Sequence, residues 1–534
     1  MIRDSRELKQ DQTLDADLCV IGAGAAGITI CNELIGTSVQ VILLESGGLQ
    51  YDPEIQSLYA GEVIGYPAPP LTSSRLRYFG GTTNHWAGTC TPLDPIDFEA
   101  RSWVPYSGWP FDRAHLDPYY KRAQRYCGLG SFGYDSEFWQ SLTGFRPLPL
   151  DDDRIDSPIL QLSPPTRFGK EYEPSIRKAE NVVAYLYANG LEIVADRDGA
   201  NIINLRVGCL TGLRFNIKAK YYVLATGGIE NARMLLVSNA VHQTGLGNRH
   251  GLVGRFFMDH LIVRTGMIVL SEPGTNVDYY DVDAQIKGVR GIGAMRLADQ
   301  HLRREKLLNN ILTLGVNYTN ENYRNADIKT PGTYAFISIV KSLAQGQLPN
   351  DFGGKSCRTI DDIDTVITFL KRRLMRTIQS KGEVANILVK YEAEQAPNPR
   401  SRVNLHHSKR DQLGLPQAQL DWQLSDFDKF SIRRTAELIG IELGRAGLGR
   451  FRTDIDEELS KFPEVETAWH HMGTTRMSEN DKTGVVDSAC RVHGLSNLYV
   501  AGSSVFPTGG RANPTLTIVA LAIRLADHLK SVAR

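Results

Sequence analysis

No apolar run in this 534-residue chain approaches the ~18 residues needed to cross a bilayer, which excludes a spanning helix. Charge of one sign is missing too. Sixty Lys and Arg balance sixty Asp and Glu, so no global field attracts nucleic acid or an anionic membrane. The seven cysteines are scattered, odd in number and without a C-x-x-C pair, which points to neither a zinc site nor a disulfide framework. No metal is expected. The opening MIRDSRELKQDQTLDAD is polar and charged, with neither the apolar segment nor the arginine pair of an export signal, so a cytoplasmic location is expected. Repeats and low-complexity tracts are also missing. What remains is ordinarily globular, 42% hydrophobic and 22% charged, with length for about three domain equivalents.

The densest signal is Asp17–Glu45, DLCVIGAGAAGITICNELIGTSVQVILLE. The apolar run Leu18–Ile21 reads as a buried parallel strand, and Gly22, Gly24 and Gly27 follow in G-x-G-x-x-G spacing. A helical pattern then carries Ile28, Ile30, Cys31, Leu34 and Ile35, and a second strand, Val39–Leu44, ends in Glu45. Gly22 permits the tight turn, Gly24 the approach of backbone N–H groups to a pyrophosphate, and Gly27 close helix–strand packing. The helix start at Ala25 and Ala26 offers unpaired donors to phosphate, and Glu45 can accept from a ribose. This unit predicts a bound dinucleotide and leaves NAD or FAD open.

Further along, Arg77–Gly88 reads RYFGGTTNHWAG, a loop whose backbone and hydroxyl groups can approach a ligand. Residues 100–185 suggest short helices and loops. From Leu191 the pattern turns to strands with a turn at Asp198-Gly199, and Tyr221–Ala225 leads into Thr226-Gly227-Gly228 and a helix, a second strand–glycine–helix unit. Asp361–Ser380 predicts an amphipathic helix with Lys371, Arg372, Arg373 and Arg376 on a basic face, and Ser431–Gly447 another. His406 and His407 are placed between strands, where adjacent residues point to opposite faces and make a poor metal site. Near the end stand WHHMGTTRM at Trp469–Met477, the strand Asn497–Val500, and a helix from about Thr515 with Asn513 as its cap and Pro514 in its first turn.

Taken in order, the glycine fingerprint, GGTTNHW, ATGGIENARMLL, EQAPNPRSRVNL, HHMGTTRM and NLYVAGSS...NPTLT resemble the glucose–methanol–choline family of FAD-dependent oxidoreductases, over roughly half the chain. Gly80-Gly81...His85-Trp86 and Ala512–Thr517 look closest to pyranose oxidase-like and sugar dehydrogenase members. Trp86 and Gly502 depart from the Asn and Asp common elsewhere in the family. The resemblance implies an α/β fold: a Rossmann-like FAD-binding domain (1–100, 186–262 and 463–534) and a substrate domain (101–185 and 263–462). The latter would hold a mixed, largely antiparallel sheet under covering helices.

It further implies oxidation of an alcohol, on a sugar, glycoside or aminosugar, by hydride transfer to FAD. His470 falls at the place of the general base and Asn513 at that of a second catalytic residue, with His471 as the fallback base and His493 a turn residue. Implied cofactor positions are Gly22, Gly24, Ala25, Ala26, Gly27, Glu45, Gly80, Gly81, Thr82, Asn84, His85, Val194, Ala225, Gly227, Gly502, Ser503, Asn513, Pro514 and Thr515. His85 stands where some relatives attach the flavin covalently and others do not. Oxygen, a quinone or a redox protein would take the electrons. The alternatives are a non-sugar alcohol, sterol or choline-like, and an FAD-binding electron-transfer subunit without alcohol chemistry.

Overall fold

The computed structural model describes all residues except 165, 281–284, 287, 321–330, 345–351, 376–379, 457, 459–460 and 534. Its first layer is a sheet built on the fingerprint. Thr13–Ile21 lies between Val41–Leu44 and Arg214–Leu224, parallel to both. Val182–Leu186 and then Ile2–Asp4 extend the sheet in parallel beyond Val41–Leu44. On the far side, Arg214–Leu224 splits its edge. Its N-terminal half pairs antiparallel with Ile202–Gly208, itself paired with Asn189–Ala195, and its C-terminal half pairs in parallel with Leu498–Val500. Leu18, Cys19 and Val20 are completely buried, as a central strand of a parallel sheet requires. Helices Ala25–Leu34 and Thr515–Val532 pack on one another beside it.

The second layer is an antiparallel sheet in the order Gly449–Arg452, Leu261–Leu270, Val384–Ala393, Asn310–Tyr318, Met295–Leu297, Ile155–Asp156. Glu466–Thr467 adds to the near end of Leu261–Leu270. The expected α/β architecture, a Rossmann-like sheet plus a largely antiparallel one under helices such as Asp426–Arg445, is therefore present.

Four expectations need correction. Val182–Leu186, read within a region of helices and loops, is a strand of the parallel sheet. His406 and His407 lie inside the strand Arg402–Arg410, and an irregular register there lets the two rings stack 4.8 Å apart rather than point to opposite faces. Asn513 does not cap the last helix: Pro514 holds the N-cap position, and no side chain caps that end. Val194 sits half-buried in Asn189–Ala195, on a strand whose earlier residues approach the cavity described below while it does not. The predicted amphipathic helix is found at Ile363–Met375, but the side chains of Arg372, Arg373 and Arg376 lie outside the described residues.

Candidate active site

Both strand–glycine–helix turns open onto one cavity of about 400 Å³. Gly22, Gly24, Ala25, Ala26, Glu45, Gly81, Thr82, His85, Ala225, Gly227, Gly502, Ser503, Asn513, Pro514 and Thr515 line it, as do His470 and His471. Gly27, Gly80 and Asn84 stand behind the wall. An ideal Cβ on Gly27 would meet the Gly22 carbonyl oxygen at 1.9 Å, so only glycine lets the helix pack there. Gly80 has φ of 96° and meets the Gly169 backbone, while Asn84 Nδ2 donates to the Phe79 carbonyl at 2.9 Å.

The donor set fits FAD. Helices Ala25–Leu34 and Thr515–Val532 both begin on the cavity wall without a side-chain cap, so their first N–H groups and positive poles face it. Gly24, Gly227 and Gly502 offer the opposite of a packed glycine: a Cβ on any of them would find nothing within 4 Å. That is the surface a planar, polyanionic ligand can approach closely. Glu45, buried and raised above its ordinary value by that burial, accepts from the N–H groups of Ala23 and Gly47 at 3.0 Å each. It keeps further lone pairs for a ribose. Arg77 and His85 add buried polar atoms on this wall that make no hydrogen bond to the described residues, the Arg77 Nε and Nη1 and the His85 Nε2, although Arg77 Nη1 stands 3.6 Å from the Glu230 carboxylate. Burial, and the nearby Arg167, hold the His85 imidazole down at about 4, so it is neutral.

The His470 end of the cavity is made by a bulge. Met258 and Met472 pair antiparallel through hydrogen bonds of 3.1 and 2.9 Å, and Leu261 pairs with Thr467. Between those pairs Asp259 and His260 face the four residues Ala468–His471. The surplus is absorbed at Trp469, whose φ of 63° is left-handed, and His470 is pushed toward the cavity. The Asp259 carboxylate fills the bulge and accepts the His470 backbone N–H at 2.8 Å. Burial pushes that carboxyl up to about 7, against the backbone N–H groups of His470, His260, Ala468 and Trp469, which pull it down.

Around the His470 ring, Nδ1 lies 2.8 Å from His260 Nδ1 and 3.8 Å from Glu392 Oε1, and Nε2 lies 3.5 Å from Asn513 Nδ2. Burial holds its pKa well below the ordinary 6.5, helped by His260, His471 and Lys390. His471 is lowered to about 3 by burial and by Arg75, and its carbonyl accepts from Ser503 Oγ at 2.6 Å. Nothing equivalent to the Asn513 contact is formed at His471. His493 Nε2 donates to the Ser478 carbonyl, 2.8 Å away, as a turn residue would. His260, Glu392 and His470 are the one group among the described residues whose ligand atoms cluster closely enough for a metal. The two Nδ1 atoms at 2.8 Å are closer than the roughly 3.3 Å separating two nitrogens on a tetrahedral zinc, which marks a hydrogen bond instead.

Sequence reasoning missed Arg77, Trp469, Asp259, His260 and Glu392. His260 is 210 residues from His470, and only the register through Met258 and Met472 joins them. Trp469 is 42% exposed beside His470, stacked on His85 at 5.7 Å between ring centroids.

A family model described as GMC oxidoreductase matches residues 397–522. The chain is similar to 2-methyl-1,2-propanediol dehydrogenase of Mycolicibacterium austroafricanum, 24% identical over 97% of this chain and 95% of that protein. It is also similar to the fructose dehydrogenase large subunit of Gluconobacter japonicus, 25% identical over 97% and 98%. In fold it resembles pyridoxine 4-oxidase from Mesorbium loti, with a TM-score of 0.57 at 16% identity over 96% of this chain and 99% of that one.

Proposed function

We propose that the chain is a GMC oxidoreductase in which His470 and Asn513 form the catalytic pair of an FAD-dependent alcohol oxidation on a sugar, glycoside or aminosugar. The observation that carries this reading is the 3.5 Å approach of Asn513 Nδ2 to His470 Nε2 on the wall of the cavity that fits FAD. A substrate oxygen between the two would lose its proton to His470 Nε2 and keep a hydrogen bond from the Asn513 amide as negative charge develops on it. Glu392, 3.8 Å from the other ring nitrogen, would steady the imidazolium that results. When bound, FAD supplies the hydride acceptor. Gly22–Ala26, Gly81, Thr82, Gly227, Gly502, Ser503 and the start of the last helix would hold it.

The exposed Trp469 indole beside the base supports a sugar, because a pyranose face stacks on such a ring while its hydroxyls find polar partners. The domains would follow the two sheets: 1–100, 186–262 and 463–534 for FAD and 101–185 and 263–462 for substrate, with Val182–Leu186 moved whole to the FAD side. Oxygen, a quinone or a redox protein is the electron acceptor. His470→Ala tests the reading: FAD should stay bound while anaerobic flavin reduction slows at least ~100-fold. Reduction at the wild-type rate would remove His470 from the reaction.

A further inference from the structure

His470 can act as a base only in the tautomer that carries its proton on Nδ1 and leaves Nε2 bare. Nothing in an isolated imidazole enforces that choice. Resting on the reading of His470 as the base, we propose that His260 is the positioning residue that sets this tautomer, through a chain running from the Gly510 carbonyl to the cavity.

The reasoning follows the protons. Gly510 O is a carbonyl and can only accept, so His260 Nε2, 2.8 Å away, must carry a hydrogen. A neutral imidazole carries one hydrogen, and in the completely buried His260 Nε2 holds it. Its Nδ1 is therefore a lone pair. The facing His470 Nδ1, at 2.8 Å, must then be the donor, since two lone pairs at that distance repel and two hydrogens do not fit. His470 Nε2 is left unprotonated. Its neighbour Asn513 Nδ2 is a donor, consistent with that lone pair. Glu392 Oε1 at 3.8 Å is beyond hydrogen-bond reach of Nδ1 and biases the ring only through its charge.

The start of the chain is firmly held. Arg511, next to Gly510, is clamped on Asp94 by bonds of 2.6 and 2.9 Å, and Thr508 Oγ1 donates to the Asp97 carbonyl at 2.7 Å. Gly510 itself, with φ of 53°, lies so close to the Asp97 carboxylate that a Cβ would meet it at 2.2 Å. The loop that presents Asn513 thus also fixes the proton on the base. Asp259, one residue before His260, holds the backbone of His470 in the same bulge. One dipeptide orients main chain and ring together.

The test uses FAD-loaded protein labelled with 15N-histidine, comparing wild type, His260→Leu and His260→Asn, with His470→Gln to assign the resonances. Asparagine places its Oδ1 where His260 Nδ1 stands and keeps the acceptor, whereas leucine removes it. In wild type, His470 should show a bare Nε2 and a protonated Nδ1, and His260 the reverse. His260→Leu should protonate His470 Nε2 and lower the rate constant for anaerobic flavin reduction ~100-fold with KM nearly unchanged, and His260→Asn should recover it to within ~10-fold. A bare Nε2 in the leucine variant together with a wild-type rate overturns the proposal and passes the role to Glu392. If the leucine variant fails to fold or to hold FAD, the wild-type spectrum decides alone: a protonated His470 Nε2 there is fatal. Because the resonances need no substrate, they stand even if no alcohol reduces the flavin, an outcome that would instead strike at the proposed reaction.

Discussion

Replacing Gly24 by alanine separates the demands of the fold from those of the cofactor. Gly24 has φ of −87° and ψ of −166°, backbone values open to alanine, and its added methyl would touch no protein atom within 4 Å. The apoprotein should be unharmed, or stabilised by about 0.4–1 kcal/mol through loss of unfolded-state freedom. With FAD the methyl projects into the space the pyrophosphate needs. A steric conflict of this size costs about 1–3 kcal/mol, or roughly 5- to 150-fold in affinity. At an FAD concentration 100 times the wild-type Kd, wild type gains about 2.7 kcal/mol from binding, and a variant weakened 100-fold keeps only about 0.4. Urea unfolding of flavin-free and FAD-saturated protein, with a fluorescence titration for Kd, reads both quantities. Gly27→Ala is the contrast. Its methyl would sit 1.9 Å from the Gly22 carbonyl, so the apoprotein itself should lose about 1–3 kcal/mol or more. The reasoning is refuted if Gly24→Ala binds FAD as tightly as wild type, or if its flavin-free form is the destabilised one.

The site makes three other predictions. With the His470 pKa below 6.5 in the folded protein, the rate of flavin reduction should be flat through neutral pH and fall only as the base protonates at lower pH. The same depression means the unfolded chain binds the extra proton first, so stability should decline as pH drops below 6.5, and His470→Gln should soften that decline in pH-dependent unfolding. The buried Nε2 of His85, without a hydrogen-bond partner among the described residues, stands on the cavity wall where it is free to bond a flavin. Acid-precipitated wild type should therefore keep its yellow colour in the pellet and His85→Ala should release it, whereas a colourless wild-type pellet would leave His85 as a packing partner of Trp469.

Much of this is legible in the sequence. The turn residues Gly22, Gly24 and Gly27, the terminal Glu45, and the strand–glycine–helix unit at Tyr221–Gly228 are local patterns whose sterics dictate their form, and they line or back the cavity. Val182–Leu186 is not, because a five-residue apolar run carries no period long enough to separate strand from buried helix. Asn513 looked like a cap by residue type, yet Pro514 takes that position and frees the amide to face His470. His260, Asp259 and Glu392 were invisible for a different reason. Their roles come from strand register across hundreds of residues, and a bulge at Trp469 has no signature in spacing.

The central claim is that the His470–Asn513 pair takes a proton from an alcohol facing bound FAD. It is tested most directly by mixing the purified yellow protein, without oxygen, with a panel of sugars, glycosides and simple alcohols and following the flavin absorbance. Bleaching by one or more sugars or glycosides is the expected result, and repeating the hits with air or a quinone then identifies the acceptor. A flavin that no alcohol reduces, but that NADH does, would contradict the account.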